Sequence, residues 1–246
     1  MQRFLVAPAA MRTDAPALEG AAARQIAIVL RMQVGEQVIL CDGEGNEALC
    51  TLAAVSSRRV VLARLRRQRN VAEPALALHL YPALLRGPRF ELVLQKVTEL
   101  GVTAITPVIC RRSVARPPST GVPERWRSIV REAVEQSGRG RLPELAAPLD
   151  FRAACAEAAQ AELAICCSEH GGADLRRLFA PAAPRSLAAL LGPEGGLEAE
   201  EVVEASRLGL RPVTLGARIL RAETAAIAVC AAAYCLAGDW RSPDEG

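Results

Sequence analysis

Leu190-Leu191-Gly192-Pro193-Glu194-Gly195-Gly196 and Leu215-Gly216-Ala217-Arg218-Ile219-Leu220-Arg221-Ala222-Glu223-Thr224-Ala225 are the two stretches on which the reading of this chain turns. Each follows an apolar, strand-like run (Leu187–Leu191, Arg211–Leu215) and precedes a helix-like run (Glu198–Leu208, Glu223–Leu236). A glycine turn at the carboxyl end of a strand is where open α/β sheets hold ligands. Two such turns, about two dozen residues apart, predict two loops facing one pocket. The first has neither the Gly-Lys-Ser/Thr of a phosphate loop nor the Gly-x-Gly-x-x-Gly of a dinucleotide loop. Its glycines instead let backbone N–H and C=O groups approach a flat ligand closely. Read alone, it is equally a tight turn with Glu194 merely solvated. In the second stretch, Arg218 and Arg221 flank Ile219-Leu220, and Glu223-Thr224 opens a helix whose dipole favours the acidic charge. A plain capping sequence with two surface arginines leaves unexplained why so apolar a helix follows so charged a loop.

Working outward, Ala75–Leu80, Val102–Cys110 and Leu163–Cys167 read as further strands. Arg89–Leu100 before Gly101, Pro123–Ser137 before Gly138, Asp150–Gln160 with Asp150 as its cap, and Ala173–Phe179 read as helices. Strands alternating with helices imply an α/β fold, a mostly parallel sheet covered on both faces. Residues 1–70 read instead as β. Gln37–Asp42, a turn at Gly43-Glu44-Gly45-Asn46, Glu47–Val55 and Val60–Leu65 predict a small barrel, with a helix over Ala21–Leu30. Asn70–Pro74 reads as a linker, so the expected domains are residues 1–70 and 75–246.

The chain has 246 residues, 51% hydrophobic and only 3% aromatic, so its core must be built from Ala, Leu and Val. The net charge of +3 hides an asymmetry. Residues 1–70 hold ten arginines against six acidic residues, and residues 86–141 hold ten arginines and Lys96 against five. Residues 142–246 reverse this, with nine arginines against fifteen acidic residues. Such a basic part implies a polyanionic partner, with an ordinary solvated surface as the alternative. The eight cysteines show no CxxC pair and no Cys/His zinc spacing, which predicts reduced, buried thiols and no metal. The longest apolar run, Ala225–Ala237, is too short to span a bilayer, and the amino-terminal residues read as no targeting segment, so a cytoplasmic protein is expected.

At this point the residues carry a resemblance. Gly192-Pro193-Glu194-Gly195-Gly196 followed by Leu215–Ala225 resembles the S-adenosylmethionine site of knotted (SPOUT-type) RNA methyltransferases. The match is closest to the family that methylates uracil N3 in small-subunit (16S) ribosomal RNA. Arg3-Phe4, Val29-Leu30-Arg31 before Gly35, Cys41-Asp42-Gly43, Gln95–Val102, Ile105-Thr106-Pro107 and Glu135–Arg139 agree in order along the chain. Gln25 stands where a histidine is expected, and Arg86 where a lysine is expected.

The resemblance implies a PUA-like β-barrel followed by a SPOUT domain with a deep trefoil knot, a homodimer, and 16S rRNA or the small subunit as substrate. It implies no metal. It places cofactor contacts at Ser168, Glu169, Leu191, Gly192, Glu194, Gly195, Gly196, Leu215, Gly216, Arg218, Ile219, Leu220, Glu223, Thr224 and Ala225. Arg221 and Arg218 are the candidates to stabilise the uracil anion, with Glu194 as base or as the partner that fixes an arginine. Candidate RNA contacts are Arg3, Arg24, Arg31, Arg64, Arg66, Arg67, Arg86, Lys96, Arg111, Arg112, Arg139 and Arg141. The run from Arg58 to Arg69 also reads as a solvated strand guarded against aggregation. His79 reads as structural, and His170 as a residue of a loop facing the cofactor. Two other functions stay open: a knotted methyltransferase acting elsewhere on RNA, such as a ribose 2′-OH, and a non-catalytic RNA-binding assembly factor.

Overall fold

The computed structural model describes residues 1–119, 121–169, 171–180 and 182–240. The chain separates into two compact units, Met1–Glu73 with Arg131–Leu142, and Pro74–Val130 with Pro143–Gly246.

The first unit is a curled five-stranded sheet. Its elements are β1 (Arg3–Leu5), β2 (Ala17–Glu19), α1 (Gly20–Arg24), β3 (Gln37–Cys41), β4 (Asn46–Val55) and β5 (Arg59–Arg69). The strand order is β1-β3-β4-β5-β2. β3, β4 and β5 form an antiparallel meander, and the β4/β5 register shifts at Leu49/Cys50 and Leu52/Ala54. Such irregularities bend a sheet and raise its twist, and the concave side encloses Phe4, Ile26, Val38, Leu40, Leu52 and Leu62. The helix expected over Ala21–Leu30 is shorter. α1 gives way to a π-helical turn at Gln25–Val29, which leaves both Ala23 and Ile26 fully buried. Segment Arg131–Leu142 belongs to this unit through hydrogen bonds. Leu5 N donates to Glu135 Oε1 at 2.7 Å, and Gly140 N and Arg141 N each donate to Glu73 Oε1 at 2.9 Å. The sequence division at residue 75 places this segment with the second domain instead.

The second unit holds β6 (Ala77–Pro82), α2 (Gly87–Leu100), β7 (Ala104–Ile105), β8 (Val108–Ile109), the first turns of α3 (Glu124–Ser137), β9 (Glu144–Leu145), β10 (Leu149–Asp150), α4 (Phe151–Ala158), β11 (Leu163–Cys167), β12 (Ala173–Asp174), α5 (Leu175–Leu178), β13 (Ser186–Leu191), α6 (Ala199–Arg207), β14 (Arg211–Thr214) and α7 (Ala222–Ala237). Seven strands form one parallel sheet in the order β12-β14-β11-β13-β6-β7-β9. Alternate residues of each strand feed opposite faces. Leu163, Ile165, Leu187, Ala189 and Leu191 meet α2 and α7 on one side. Ala164, Cys166, Ala188 and Leu190 meet α4 and α6 on the other.

Two features depart from a simple alternation of strand and helix. The single strand expected over Val102–Cys110 splits around Pro107, whose nitrogen has no hydrogen to give a ladder. β7 stays in the large sheet, while β8 pairs with β10 in a separate two-stranded one. The second is the position of β14, which lies between β11 and β12, strands that precede it and are joined through residues 168–172. The chain passes so close there that a Cβ on Gly172 would lie 2.6 Å from the Pro212 carbonyl, so only glycine fits.

Candidate active site

Parallel strands end in one direction, so the loops after β11, β13 and β14 emerge at the same edge of the sheet. They enclose a cavity of about 470 Å³, within the range of small-molecule sites. The β11 loop contributes Ser168 and Glu169, and the β13 loop Leu191, Gly192, Glu194 and Gly196. The β14 loop contributes Leu215, Gly216, Arg218, Ile219 and Leu220, and α7 closes the wall with Ala225. Of the expected cofactor contacts, Gly195, Glu223 and Thr224 stand outside this lining. Arg221, expected beside Arg218, is also outside it, as the exposed N-cap of α7. His170 lies outside the described residues.

The cavity mixes an apolar wall with few charges. Leu191, Leu197, Leu215 and Leu220 offer surface for a flat ring, while Ser168, Glu169, Glu194, Thr214 and Arg218 are the polar groups. Gly196 is the tightest point of the cradle. Its φ is +71°, and a Cβ there would sit 2.5 Å from Glu169 Oε1. Backbone and carboxylate thus approach where any other residue would intervene. On the cavity wall, burial pushes the half-buried Cys167 thiol up to about 12, which favours its protonated form. Glu223, in the first turn of α7, is 8% exposed, and its Oε2 has no hydrogen-bond partner among the described residues.

The Gly192–Gly196 turn is held from outside by two arginines, and a third anchors the α6 cap just beyond it. Arg89, on the first turn of α2, reaches Glu194 Oε1 at 3.4 Å. Arg112 Nη1 donates to Gly195 O at 2.9 Å, and Arg111 Nη1 to Glu198 Oε2 at 3.0 Å. Glu198 also caps α6 reciprocally with Glu201, whose carboxylate accepts from Arg111 N at 2.9 Å. Arg89 was not among the candidates. The charged opening of its helix was the one available signal, and only folding shows which loop it meets.

The structure sorts the candidate RNA arginines. Arg139, expected at the RNA surface, is 2% exposed and pairs with Glu73 at 2.9 Å, so its guanidinium is engaged inside the first unit. Arg3 is engaged by the buried Glu47, and Arg64 by Asp14 together with the Met11 and Thr13 carbonyls. Arg67 donates to Met11 O but remains exposed, as do Arg24, Arg31, Arg66 and Arg141. Lys96 pairs with Glu99 at 2.8 Å. Arg86 is exposed at the start of α2. His79 takes part in a structural network, with Nε2 2.8 Å from Thr106 Oγ1, Nδ1 2.9 Å from Tyr81 OH, and its ring stacked on Tyr81. All eight thiols are free, six of them buried and Cys235 exposed. No helix among the described residues is long and apolar enough to cross a membrane.

Comparison with known proteins agrees with this architecture. Residues 72–234 match the RNA methyltransferase domain family, and residues 18–63 match the RNA methyltransferase PUA domain. The ribosomal RNA small subunit methyltransferase E of Synechocystis is 36% identical over 91% of this chain and 74% of its own length. The crystal structure of a ribosomal RNA small subunit methyltransferase E from Neisseria gonorrhoeae, bound to S-adenosyl methionine, superposes with a TM-score of 0.90 at 32% identity, covering 98% of this chain and 100% of that one. A methyltransferase of Legionella pneumophila solved with bound SAM gives a TM-score of 0.81 at 30% identity over 95% of both chains. By this likeness over most of its length, the chain belongs to the SPOUT RNA methyltransferases, in the branch of the ribosomal RNA small subunit methyltransferases E.

Proposed function

We propose that this chain transfers a methyl group from S-adenosylmethionine to N3 of a specific uridine in 16S ribosomal RNA, acting as a homodimer whose chain closes a trefoil knot. The observation that carries the reading is the cavity at the carboxyl edge of β11, β13 and β14, walled by the two glycine-bearing loops. Its volume, its apolar wall and the cradle at Gly196 fit a bent S-adenosylmethionine. Ser168, Glu169, Leu191, Gly192, Gly196, Leu215, Ile219, Leu220 and Ala225 would hold it. Gly195, Glu223 and Thr224 would act from behind, by shaping the turn and the first turn of α7. When bound, the cofactor supplies an electrophilic methyl on a sulfonium.

The protein has to bring uracil N3 to that methyl and ease the loss of its proton. Arg218 on the cavity wall, and Arg221 at the start of α7, are the groups to stabilise charge developing on the neighbouring uracil oxygens. Neither has an ion-pair partner among the described residues, so their charges are available. Glu194 is engaged by Arg89, which favours a positioning role for it over that of base. Positioning of N3 against the methyl then does much of the work.

The exposed Arg24, Arg31, Arg66, Arg67 and Arg141 of the first unit offer guanidinium groups for phosphates. Arg111 and Arg112 offer charge beside the Gly192–Gly196 turn, and Arg86 and Lys96 are further cations of the second unit. For the dimer, α7 buries Ala226, Val229, Cys230 and Ala233 in its own core, while the apolar Ile227, Ala228, Ala231, Ala232 and Leu236 remain partly open.

The test is incubation with labelled S-adenosylmethionine and either naked 16S rRNA or unmodified small subunits, followed by nucleoside analysis. The expected product is 3-methyluridine. A 2′-O-methylated nucleoside would move the reaction to the ribose, and absence of S-adenosylmethionine binding by calorimetry would leave only RNA binding.

A further inference from the structure

A second cavity, of about 420 Å³, opens at the start of α2. Its lining includes Leu84, Phe90, Val114 and Trp126, with Arg86 and Arg116 beside them. Phe90 is fully buried, and the half-buried Trp126 packs on it with ring centroids 4.7 Å apart at 49°. Val114, in contrast, is 60% exposed. An apolar cavity floored by aromatic rings therefore meets solvent.

The charges around it are uneven. Nearby Arg89, Arg111, Arg112 and Arg125 all have carboxylate partners, in Glu194, Glu198, Glu198 and Glu91. Arg86 and Arg116 are exposed and have no ion pair among the described residues, although they line this aromatic cavity. Two unsatisfied guanidinium groups beside an aromatic floor match a ligand with a flat ring and a phosphate. Base–aromatic stacking with arginine on the backbone is how single-stranded nucleic acid is gripped.

The cavity also adjoins the cofactor loops. Arg89 lies on the same first turn as Phe90 and reaches Glu194, and Arg112, two residues before Val114, donates to Gly195 O. We infer that this cavity is a subsite for a nucleotide of the substrate RNA other than the one methylated. Its base packs against Trp126, and its phosphate sits between Arg86 and Arg116. The inference rests on the RNA methyltransferase reading and adds to it a second point of single-stranded contact beside the cofactor.

The chain has two tryptophans, so Trp240→Phe leaves Trp126 as sole reporter. Titration of that variant with uridine 5′-monophosphate, adenosine 5′-monophosphate and a short oligouridylate should quench its fluorescence saturably, the oligomer at the lowest concentration. Inorganic phosphate alone should not. In the full chain, Arg86→Ala combined with Arg116→Ala should raise KM for rRNA at least tenfold, with KM for S-adenosylmethionine within twofold of the parent. Trp126→Phe should recover most of the parent KM, and Trp126→Ala should not. An unchanged rRNA KM in the double arginine variant overturns the subsite. So does a quench reproduced in full by phosphate, or one that tracks protein concentration and so reports a second copy. If the parent neither binds S-adenosylmethionine nor methylates RNA, the underlying function has failed instead, and calorimetry on the parent separates the two.

Discussion

Gly196→Ala isolates the cradle of the cofactor cavity. At φ +71° the backbone is left-handed, and an L-residue there costs roughly 1–2 kcal/mol. With roughly 2–4 °C lost per kcal/mol in a chain of this size, the melting temperature should fall by about 2–8 °C. The added methyl would also stand 2.5 Å from Glu169 Oε1 and 3.2 Å from its carboxylate carbon. Glu169 is exposed, so its side chain has room to swing away, but it then leaves the cavity wall. If its carboxylate accepts a hydrogen bond from the cofactor, the loss is roughly 1.5–3 kcal/mol, or about 10- to 100-fold in affinity. Calorimetric titration with S-adenosylmethionine reads that change, and a thermal melt reads the strain. Glu169→Ala should weaken binding by a similar factor, and the double variant should be little worse than either single one, because both act through the same carboxylate. Parent-like cofactor affinity in Gly196→Ala, or strict additivity in the double variant, would refute the cradle argument.

Arg221→Ala should cut methylation strongly, by about 10²- to 10³-fold in kcat for a group that stabilises developing charge, while cofactor affinity stays near that of the parent because Arg221 is outside the cavity lining; unchanged single-turnover rates would remove it from the reaction. Arg139→Ala removes the guanidinium from Glu73 and leaves it, among the described residues, the backbone N–H donors of Gly140 and Arg141. Breaking such a buried pair costs about 3–5 kcal/mol, so a thermal melt should fall well below the parent's; a change in RNA affinity with an unaltered melt would contradict the structural role. Glu47 supplies the pH dependence. Burial pulls its carboxyl upward, but hydrogen bonds from Gln68, Asn70 and Arg3, with the Arg3 charge, outweigh this and hold it below its ordinary range. A lowered folded pKa stabilises above the unfolded value, and that stability is lost as pH falls through the ordinary glutamate range and below. Glu47→Gln should therefore flatten the acid limb of a stability-against-pH curve, and an acid limb identical to the parent's would exclude Glu47 as its source.

Local pattern and residue type made much of this legible. Leu163–Cys167 is a strand over the same residues in sequence and structure, because its continuous apolar run is buried on both faces. The Asp150 cap is also present, accepting from Ala153 N at 2.9 Å. The expected elements fail where a single residue vetoes the pattern or the tertiary environment reshapes it. Pro107 removes a donor and divides one strand between two sheets. The stretch Ala21–Leu30 looks helical by composition, yet it relaxes into a π turn that leaves both Ala23 and Ile26 buried. For the site, glycine turns were visible because their chemistry is local. The fates of the arginines were not. Arg139 and Arg86 are alike in sequence, and one is buried against Glu73 while the other is exposed beside a cavity.

By itself the sequence determined the alternation of strands and helices, the two glycine-bearing loops at strand ends, and the concentration of positive charge in residues 1–141. These depend on periodicity and residue type, which act over a few positions. Only the tertiary structure decided that β14 returns between β11 and β12, bringing Ser168, Gly192 and Thr214 to one cavity. It alone decided which carboxylate each arginine meets, and that a second, aromatic cavity lies beside the first. Strand order and ion pairing are set by contacts between residues scores of positions apart, and no local pattern carries that information.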